Sequence, residues 1–240
     1  MSDFASISPH LNVKISPRAR RLSLRLDAKD RKIHLIVPKR ASMKAAYQFA
    51  YANRAWIEEK LNTLPQAIPF HDGALIPVMG RQLRVTIDHD EQYKLTKIEI
   101  DEDRLLVKTH LDNPSGRITR FLKKLAETEF RKIADEKAAM IDRKITVLSL
   151  RDMKSRWGSC SKDGRMTLNW RLIFAPFETY DYVIAHEAAH LIHANHGANF
   201  WKLCRKLSTD FSTGSGWIAE NSSELMRFGM PEGPPEMTEE

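Results

Sequence analysis

Two histidines one helical turn apart impose the strongest constraint on this chain of 240 residues. His186 and His190 stand at positions i and i+4 in the stretch HEAAHLIHANH. On a helix, both imidazoles leave the same face and can converge on one ion. Glu187 follows the first histidine, where its carboxylate can reach a water on that ion. This spacing is the HExxH arrangement of zinc proteases, and it predicts a helix that carries a metal site.

A third ligand must come from beyond this turn of helix. His193 lies seven residues after His186, about 10 Å along a straight helix, which is too far to share the ion. His196 can return to the metal if the helix ends near 192–194 and the chain then turns. The resulting spacing, HExxHxxxxxH, is also that of the metzincins, with His193 in place of their middle glycine. The alternative is a carboxylate from a later helix, as in thermolysin-like enzymes, with two candidates: Glu220 and Glu224.

Three histidines with an open fourth position are typical of a catalytic zinc rather than a structural one. The sequence therefore predicts one Zn²⁺ bound by His186, His190 and His196. Glu187 is predicted to be the general base in peptide-bond hydrolysis. The candidates for stabilising the oxyanion are Lys154, Arg156 and Tyr182. The candidates for orienting a ligand histidine are Asn169 and Asp181.

The N-terminal half predicts a small, mostly antiparallel β unit with one helix against it. Alternating apolar residues in 22–26 and an apolar run in 32–37 flank a polar turn, which predicts a hairpin. Ser42 can cap a helix over 43–63 that ends before Pro65. Further β segments are predicted at 76–80, 82–87, 96–100 and 104–108.

The C-terminal half predicts a long amphipathic helix over 115–142, followed by a strand at 145–150. The Asp163-Gly164 pair favours a tight reversal between two strands, 154–161 and 165–172. One of these strands is a candidate to bind an extended peptide by strand addition. The metal helix follows Pro176. Another helix is predicted over 199–207, with Phe200, Leu203 and Leu207 packing on the site from behind.

The predicted fold class is α+β. An N-terminal antiparallel β unit with a helix occupies residues 1–112. A zincin-like catalytic core, made of the hairpin, the HExxH helix and packing helices, occupies 113–228. Residues 229–240 are Pro-rich and acidic, which predicts a disordered tail.

Composition predicts a cytoplasmic protein without a membrane segment. The two cysteines, Cys160 and Cys204, are too few for a disulfide framework. The chain has no apolar run of membrane-spanning length, and its N-terminus lacks the features of a secretory signal. The net charge is +7, and the basic residues are not confined to one tract or tail.

A local basic cluster suggests a possible anionic partner. It comprises Lys14, Arg18, Arg20, Arg21 and Arg25. One interpretation is a solvated strand face, and the other is weak binding of nucleic acid through the N-terminal strands.

The segments RWGSCSKDGRMTLNWRL and DYVIAHEAAHLIHANHGANFW resemble the YgjP-like metal-dependent hydrolases, which are relatives of the SprT and WLM zinc metalloproteases. The N-terminal RRLSLRLD hairpin and the Ala55-Trp56-Ile57 helix also resemble that family. Ala188 stands where a leucine is usual, a difference expected to affect core packing only. The resemblance implies zinc ligation by His186, His190 and His196, with Glu187 as the base.

The predicted hydrolysis implies a peptide or protein substrate, but the resemblance does not settle the substrate, and two alternative functions stay open. One is a DNA-associated protease that acts on DNA-bound proteins, as SprT relatives do. The other is a zinc hydrolase of non-peptide amides.

Overall fold

The structure, a computed structural model, describes residues 3–27, 30–153 and 156–230. The chain forms two compact units, Met1–Gln66 and Ala67–Glu240. This division differs from the boundary near residue 112 that the sequence predicts. Most of the predicted disordered tail, from residue 231 onward, lies outside the described residues. Within those residues, no helix is both long and apolar enough to cross a membrane.

The N-terminal unit contains a three-stranded sheet and two helices. Its strands are β1 (Leu11–Ser16), β2 (Ser23–Asp27) and β3 (Lys32–Pro38), and its helices are α1 (Met43–Ala52) and α2 (Arg54–Asn62). The predicted hairpin is confirmed as the antiparallel pair of β2 and β3. Apolar side chains of β3 and α1 form the centre of a small core: Leu35, Val37, Ala46 and Ala50.

The predicted helix over 43–63 is two helices rather than one. The Ser42 hydroxyl accepts a hydrogen bond from the Ala45 amide at 3.2 Å, as expected of an N-cap. Asn53 then leaves the helical conformation, with φ −106° and ψ 17°. Its side-chain amide donates to the Phe49 carbonyl at 2.8 Å, which satisfies one carbonyl at the end of α1.

The second unit begins with a four-stranded sheet. Its strands are β4 (Leu75–Val78), β5 (Arg81–His89), β6 (Lys97–Asp101) and β7 (Arg104–Thr109), in the order β4-β5-β7-β6. All four predicted β segments are therefore confirmed within a few residues.

Both sheets depart from the predicted antiparallel pairing for one topological reason. In each, the last strand of a hairpin is inserted beside an earlier strand. The strand β3 pairs antiparallel with β2 and parallel with β1. In the same way, β7 pairs antiparallel with β6 and parallel with β5.

The long helix α3 (Ser115–Ala139) supplies much of the core of the second unit. Its buried stripe follows the i, i+4 spacing of one helix face, and includes Ile118, Leu122, Ala126 and Phe130. Each fully buried large apolar side chain contributes about 1.5–3 kcal/mol to the free energy of unfolding. The Phe130 ring contacts Tyr180 at a centroid distance of 5.4 Å, which packs α3 against the helix that carries His186.

A second three-stranded sheet lies in the same unit. Its strands are β8 (Val147–Arg151), β9 (Gly158–Cys160) and β10 (Arg165–Asn169), in the order β8-β10-β9. The predicted hairpin is confirmed by the antiparallel pairing of β9 with β10. However, β10 ends at Asn169, and Trp170–Phe174 forms a 3-10 helix instead of a strand. The Asn169 side chain caps that helix by accepting from the Arg171 amide at 3.1 Å.

The remaining helices are α4 (Phe177–Ala189), α5 (Ala198–Leu207) and α6 (Phe211–Asn221). The sequence predicts α4 and α5, whereas for α6 it indicates only a later helix near Glu220, without bounds. A buried ion pair between Lys137 of α3 and Asp181 of α4 ties these two helices together. Lys137 also donates to the Leu207 carbonyl at 2.7 Å, and Asp181 accepts from the Thr209 amide at 2.7 Å. These contacts hold the end of α5 against α4.

Candidate metal centre

The helix α4 brings His186 and His190 together as the i, i+4 spacing predicts. Their ring centroids are 5.3 Å apart. The helix ends at Ala189, and His190 is its C-cap with helical backbone angles. The helix therefore ends a few residues before the predicted 192–194, but both imidazoles still share one face.

The chain then turns and returns His196 to the two helical histidines. The turn begins where the His193 amide donates to the Ala189 carbonyl at 3.0 Å. The Nε2 atoms of His186 and His196 lie 3.1 Å apart. One ligand nitrogen from each of His186, His190 and His196 lies within 4.8 Å of the other two. The three side chains can therefore meet on a single metal ion.

The other candidates for the third ligand lie outside this group. Within the described residues, the three histidines are the one cluster of ligand-type side chains suited to a metal. Glu224 instead accepts from Arg227 at 2.8 Å, and Glu220 lies exposed on α6. His193 contributes its backbone rather than its ring, because its carbonyl lies 3.0 Å from Nδ1 of His190. A hydrogen bond from Nδ1–H to that carbonyl leaves Nε2 of His190 free to bind a metal.

Phe200 of α5 forms an apolar floor under the three histidines. It is buried, and its ring centroid lies 4.9, 4.7 and 4.6 Å from those of His186, His190 and His196. The predicted packing of Phe200 behind the site is thus confirmed. The Trp201 ring contacts His186 and His196 from the same helix, a role that the sequence did not indicate.

Burial and the neighbouring imidazoles disfavour the charged forms of His186 and His190. Burial, together with the neighbouring His190 and His196, lowers the pKa of His186 to about 4. Burial also lowers the pKa of His190. Neutral imidazoles have a free lone pair, so at neutral pH these two histidines can bind a cation without first releasing protons.

Glu187 is buried beside the cluster, with 6% of its surface exposed. Burial raises the pKa of its carboxyl to about 7, although Arg156 opposes that rise. The carboxylate packs against the backbone of β9 at Gly158. A Cβ at that position would lie 2.5 Å from Cγ of Glu187, so only glycine leaves room for this side chain.

A cleft of about 510 Å³ opens above the histidines. Besides the histidines and Glu187, its lining includes Arg156, Ser159, Cys160, Tyr182 and Ile218. Tyr182 lies four residues before His186, so helical spacing alone places it on the metal face. Ile218 belongs to α6, and no local sequence signal placed it at the cleft.

The two cysteines are protonated thiols in this environment. Burial and the nearby Glu187 raise the pKa of Cys160, in the cleft wall, to about 12. Burial raises the pKa of Cys204, behind the site on α5, to about 11. A thiol is a poor metal ligand until it is deprotonated, so neither cysteine competes readily with the histidines.

The candidates for orienting a ligand histidine and the candidates for stabilising the oxyanion differ in whether they reach the cleft. Asn169 donates to the Met153 carbonyl at 2.9 Å and caps the 3-10 helix, and the partners of Asp181 are Lys137 and Thr209. Their contacts are therefore structural ones. Among the oxyanion candidates, Arg156 and Tyr182 line the cleft, and Lys154 lies outside the described residues.

A comparison with protein families finds one match over most of the chain. A family model described as YgjP-like, metallopeptidase domain, matches residues 20–221. Searches of curated proteins and of solved structures find no match. The matched range includes the three histidines, Glu187 and β9, whereas Lys14 and Arg18 of the basic cluster precede it.

Proposed function

The chain belongs to the YgjP-like metallopeptidase family, and from this premise we propose that it is a zinc-dependent peptidase in which Glu187 is the general base. Membership of the family makes the protein a metal-dependent hydrolase of peptide bonds. The observation that carries the finer proposal is the group of three imidazoles, with ligand nitrogens within 4.8 Å of one another, beside a buried carboxylate.

The donor set supports zinc as the metal. Neutral imidazoles suit zinc, and three protein ligands with an open fourth position are typical of catalytic zinc sites. Two nitrogen ligands on one tetrahedral zinc lie about 3.3 Å apart, given Zn–N distances of about 2.0–2.1 Å. The 3.1 Å between Nε2 of His186 and Nε2 of His196 is close to that value. When bound, zinc would polarise a scissile carbonyl and lower the pKa of a water in the open position to about 7.

The environment of Glu187 suits a residue that accepts and returns a proton. A base works best when its pKa is near the working pH, and burial raises the pKa of Glu187 to about 7. The carboxylate accepts the proton of the attacking water and delivers it to the leaving amine nitrogen. Contact with the backbone at Gly158 restricts the side chain to the cleft.

The cleft wall suits an extended peptide. Because the sheet order is β8-β10-β9, β9 lies at an edge of its sheet. Its Gly158, Ser159 and Cys160 line the cleft beside the histidines. A peptide that adds to this edge would gain main-chain hydrogen bonds and place its carbonyls along the metal site. Tyr182 stays protonated because burial raises its pKa, so its hydroxyl can donate to a developing oxyanion.

Metal content and hydrolysis test this proposal together. The purified wild-type chain is expected to hold about one zinc, and a chelator should abolish cleavage of casein until zinc is restored. His196→Ala should lose the metal, whereas the matched control His193→Ala should keep it, because His193 contributes its carbonyl. A wild-type chain free of zinc, or equal metal loss in the two variants, would contradict the ligand set. Cleavage of small amides but not of casein or peptides would favour the non-peptide amide hydrolase.

A further inference from the structure

The N-terminal unit carries the positive charge of the whole protein. Residues 1–66 contain 13 Lys and Arg against 5 Asp and Glu, a net charge of +8. Residues 67–240 contain 25 against 26, a net charge of −1. The even spread of basic residues along the sequence therefore hides a strong asymmetry between the two units.

Within that unit, the sheet has one apolar and one polar face. The side chains of Leu35 and Val37 on β3 are buried against α1, because they share a core with Ala46 and Ala50. Side chains alternate along a strand, so the neighbouring positions point to the opposite face. Lys14 of β1 stands opposite Ile36, and Arg25 of β2 stands opposite His34. The polar face thus carries a cation on each outer strand.

The connection between β1 and β2 places three more cations beside Lys14 and Arg25. A groove of about 960 Å³ is lined by Lys14 and Arg25 and by connection residues Arg18, Arg20 and Arg21. All five of these side chains are exposed. Lys14 contacts Nε2 of His34 at 3.1 Å. The four arginines form no ion pair within the described part of the chain, so their charges are available to a partner.

We propose that this groove, which we call the basic groove, binds the phosphodiester backbone of a nucleic acid. Guanidinium groups match phosphate oxygens with paired hydrogen bonds, and four of the five cations are arginines. The residues that line the groove include no carboxylate to repel phosphates. They also include no aromatic side chain on which a base could stack. Binding therefore acts through the backbone and is largely independent of base sequence.

An anionic lipid surface is the main competitor for such a groove, and the structure favours it less. Peripheral membrane binding usually combines cations with a row of exposed apolar anchors. Among the residues that line the groove, Ile15 is the one large apolar side chain that is mostly exposed, at 64%. The concave, arginine-rich shape suits a narrow charged strand better than a flat surface.

The test measures binding of the full chain to fluorescein-labelled oligonucleotides by anisotropy over a range of NaCl concentrations. Separate titrations with single-stranded and duplex oligonucleotides, of both DNA and RNA, show which form of nucleic acid binds most tightly. For the wild type, the logarithm of the association constant should fall linearly with the logarithm of salt concentration, by about 0.7–0.9 per phosphate contacted. Single strands of oligo-dT and oligo-dC should bind with similar affinity.

The decisive variant changes Arg18, Arg20 and Arg21 together to Gln. Its affinity should fall at least about 10-fold, and its salt slope should decrease by about 2–3, because three phosphate contacts are lost. The matched control removes three charges from α1 and α2 by changing Lys44, Arg54 and Lys60 to Gln, and should bind like the wild type. Circular dichroism spectra and thermal unfolding profiles like those of the wild type establish that the N-terminal unit is folded in both variants, and retained zinc content establishes that the second unit is.

Three outcomes would overturn the inference. The groove variant could bind as tightly as the wild type, or the control could lose as much affinity as the groove variant, which would indicate a response to net charge alone. Alternatively, the wild type could bind vesicles of phosphatidylserine and phosphatidylcholine while ignoring every oligonucleotide. None of these outcomes affects the proposed peptidase function, which depends on other residues.

Discussion

Glu187 of the metal helix packs against Gly158 of the cleft wall. The carboxylate is buried against a glycine backbone, and this contact restricts where the carboxylate can point. A base displaced by about 1 Å can lose 100-fold in rate, so the geometry of this contact matters for hydrolysis.

Replacement of Gly158 by Ala should therefore impair hydrolysis without removing the metal. The new Cβ would meet Glu187 at 2.5 Å and push the carboxylate out of position. We expect kcat/KM for a peptide substrate to fall by about 100-fold, with zinc content unchanged. Gly116→Ala is the matched control, because nothing lies within 4 Å of a Cβ there. Equal activity in the two variants would show that Glu187 is not held by this contact.

At the residue scale, spacing arguments predicted most of the candidate site. The rise of a straight helix excludes His193 as the third ligand and leaves His196 as a candidate. The structure brings His196, not His193, to the other two histidines. Contacts between distant segments could not be predicted in this way. The approach of Gly158 to Glu187 and the ring contacts of Trp201 depend on how β9 and α5 pack on α4, which no local pattern encodes.

The helix α6 packs closely against the metal helix α4. It approaches α4 so closely that a Cβ at Gly214 would lie 2.2 Å from the Glu178 carbonyl and 2.6 Å from Cβ of Tyr182. Gly216, two residues later on the same helix, has open space around it. The two glycines are a matched pair for testing this packing.

Gly214→Ala should destabilise the protein, whereas Gly216→Ala should not. Overpacking at a helix contact costs about 1–3 kcal/mol in the free energy of unfolding. Alanine at an open helical position instead stabilises by about 0.5–1 kcal/mol, because glycine loses more backbone entropy on folding. Urea unfolding of both variants measures the difference. Equal midpoints for the two variants would contradict the close approach of α6 to α4.

Element types were predictable from periodicity, but some ends and pairings were not. The i, i+4 stripe of α3 and the alternation in β2 correspond to real elements because each presents one apolar face. The α6 segment FSTGSGWIAEN contains two glycines, which lower its helix propensity. Tertiary contacts, which local sequence does not reveal, stabilise this helix. Parallel pairing arises because β3 lies between β1 and β2, and β7 lies between β5 and β6. The alternation of apolar residues within a strand does not predict which strands become neighbours.

The two units have separate apolar cores at the scale of the whole molecule. One core is formed by residues of the first 50 positions and the other by residues from 68 to 228. The sequence placed a boundary near 112 because a long helix begins there. The strands before it nevertheless share a core with that helix, as Val85 and Leu105 do with Ile118 and Leu122.

A fragment of residues 67–240 should therefore fold and retain the metal site without the N-terminal unit. We expect cooperative thermal unfolding and about one bound zinc, because the three histidines and their core all belong to this part of the chain. Calorimetry and metal analysis of the fragment check this expectation. A soluble fragment that unfolds without a transition, or that holds no zinc, would show that the second unit depends on the first.

The variant Glu187→Gln tests most directly the proposed role of Glu187 in proton transfer during metal-dependent hydrolysis. Glutamine keeps the size of the side chain but cannot accept the water proton. We expect about one zinc per chain in both proteins and a loss of about 10²–10⁴-fold in kcat/KM for a peptide substrate in the variant. A zinc-loaded Glu187→Gln protein that hydrolyses the peptide at the wild-type rate would contradict it.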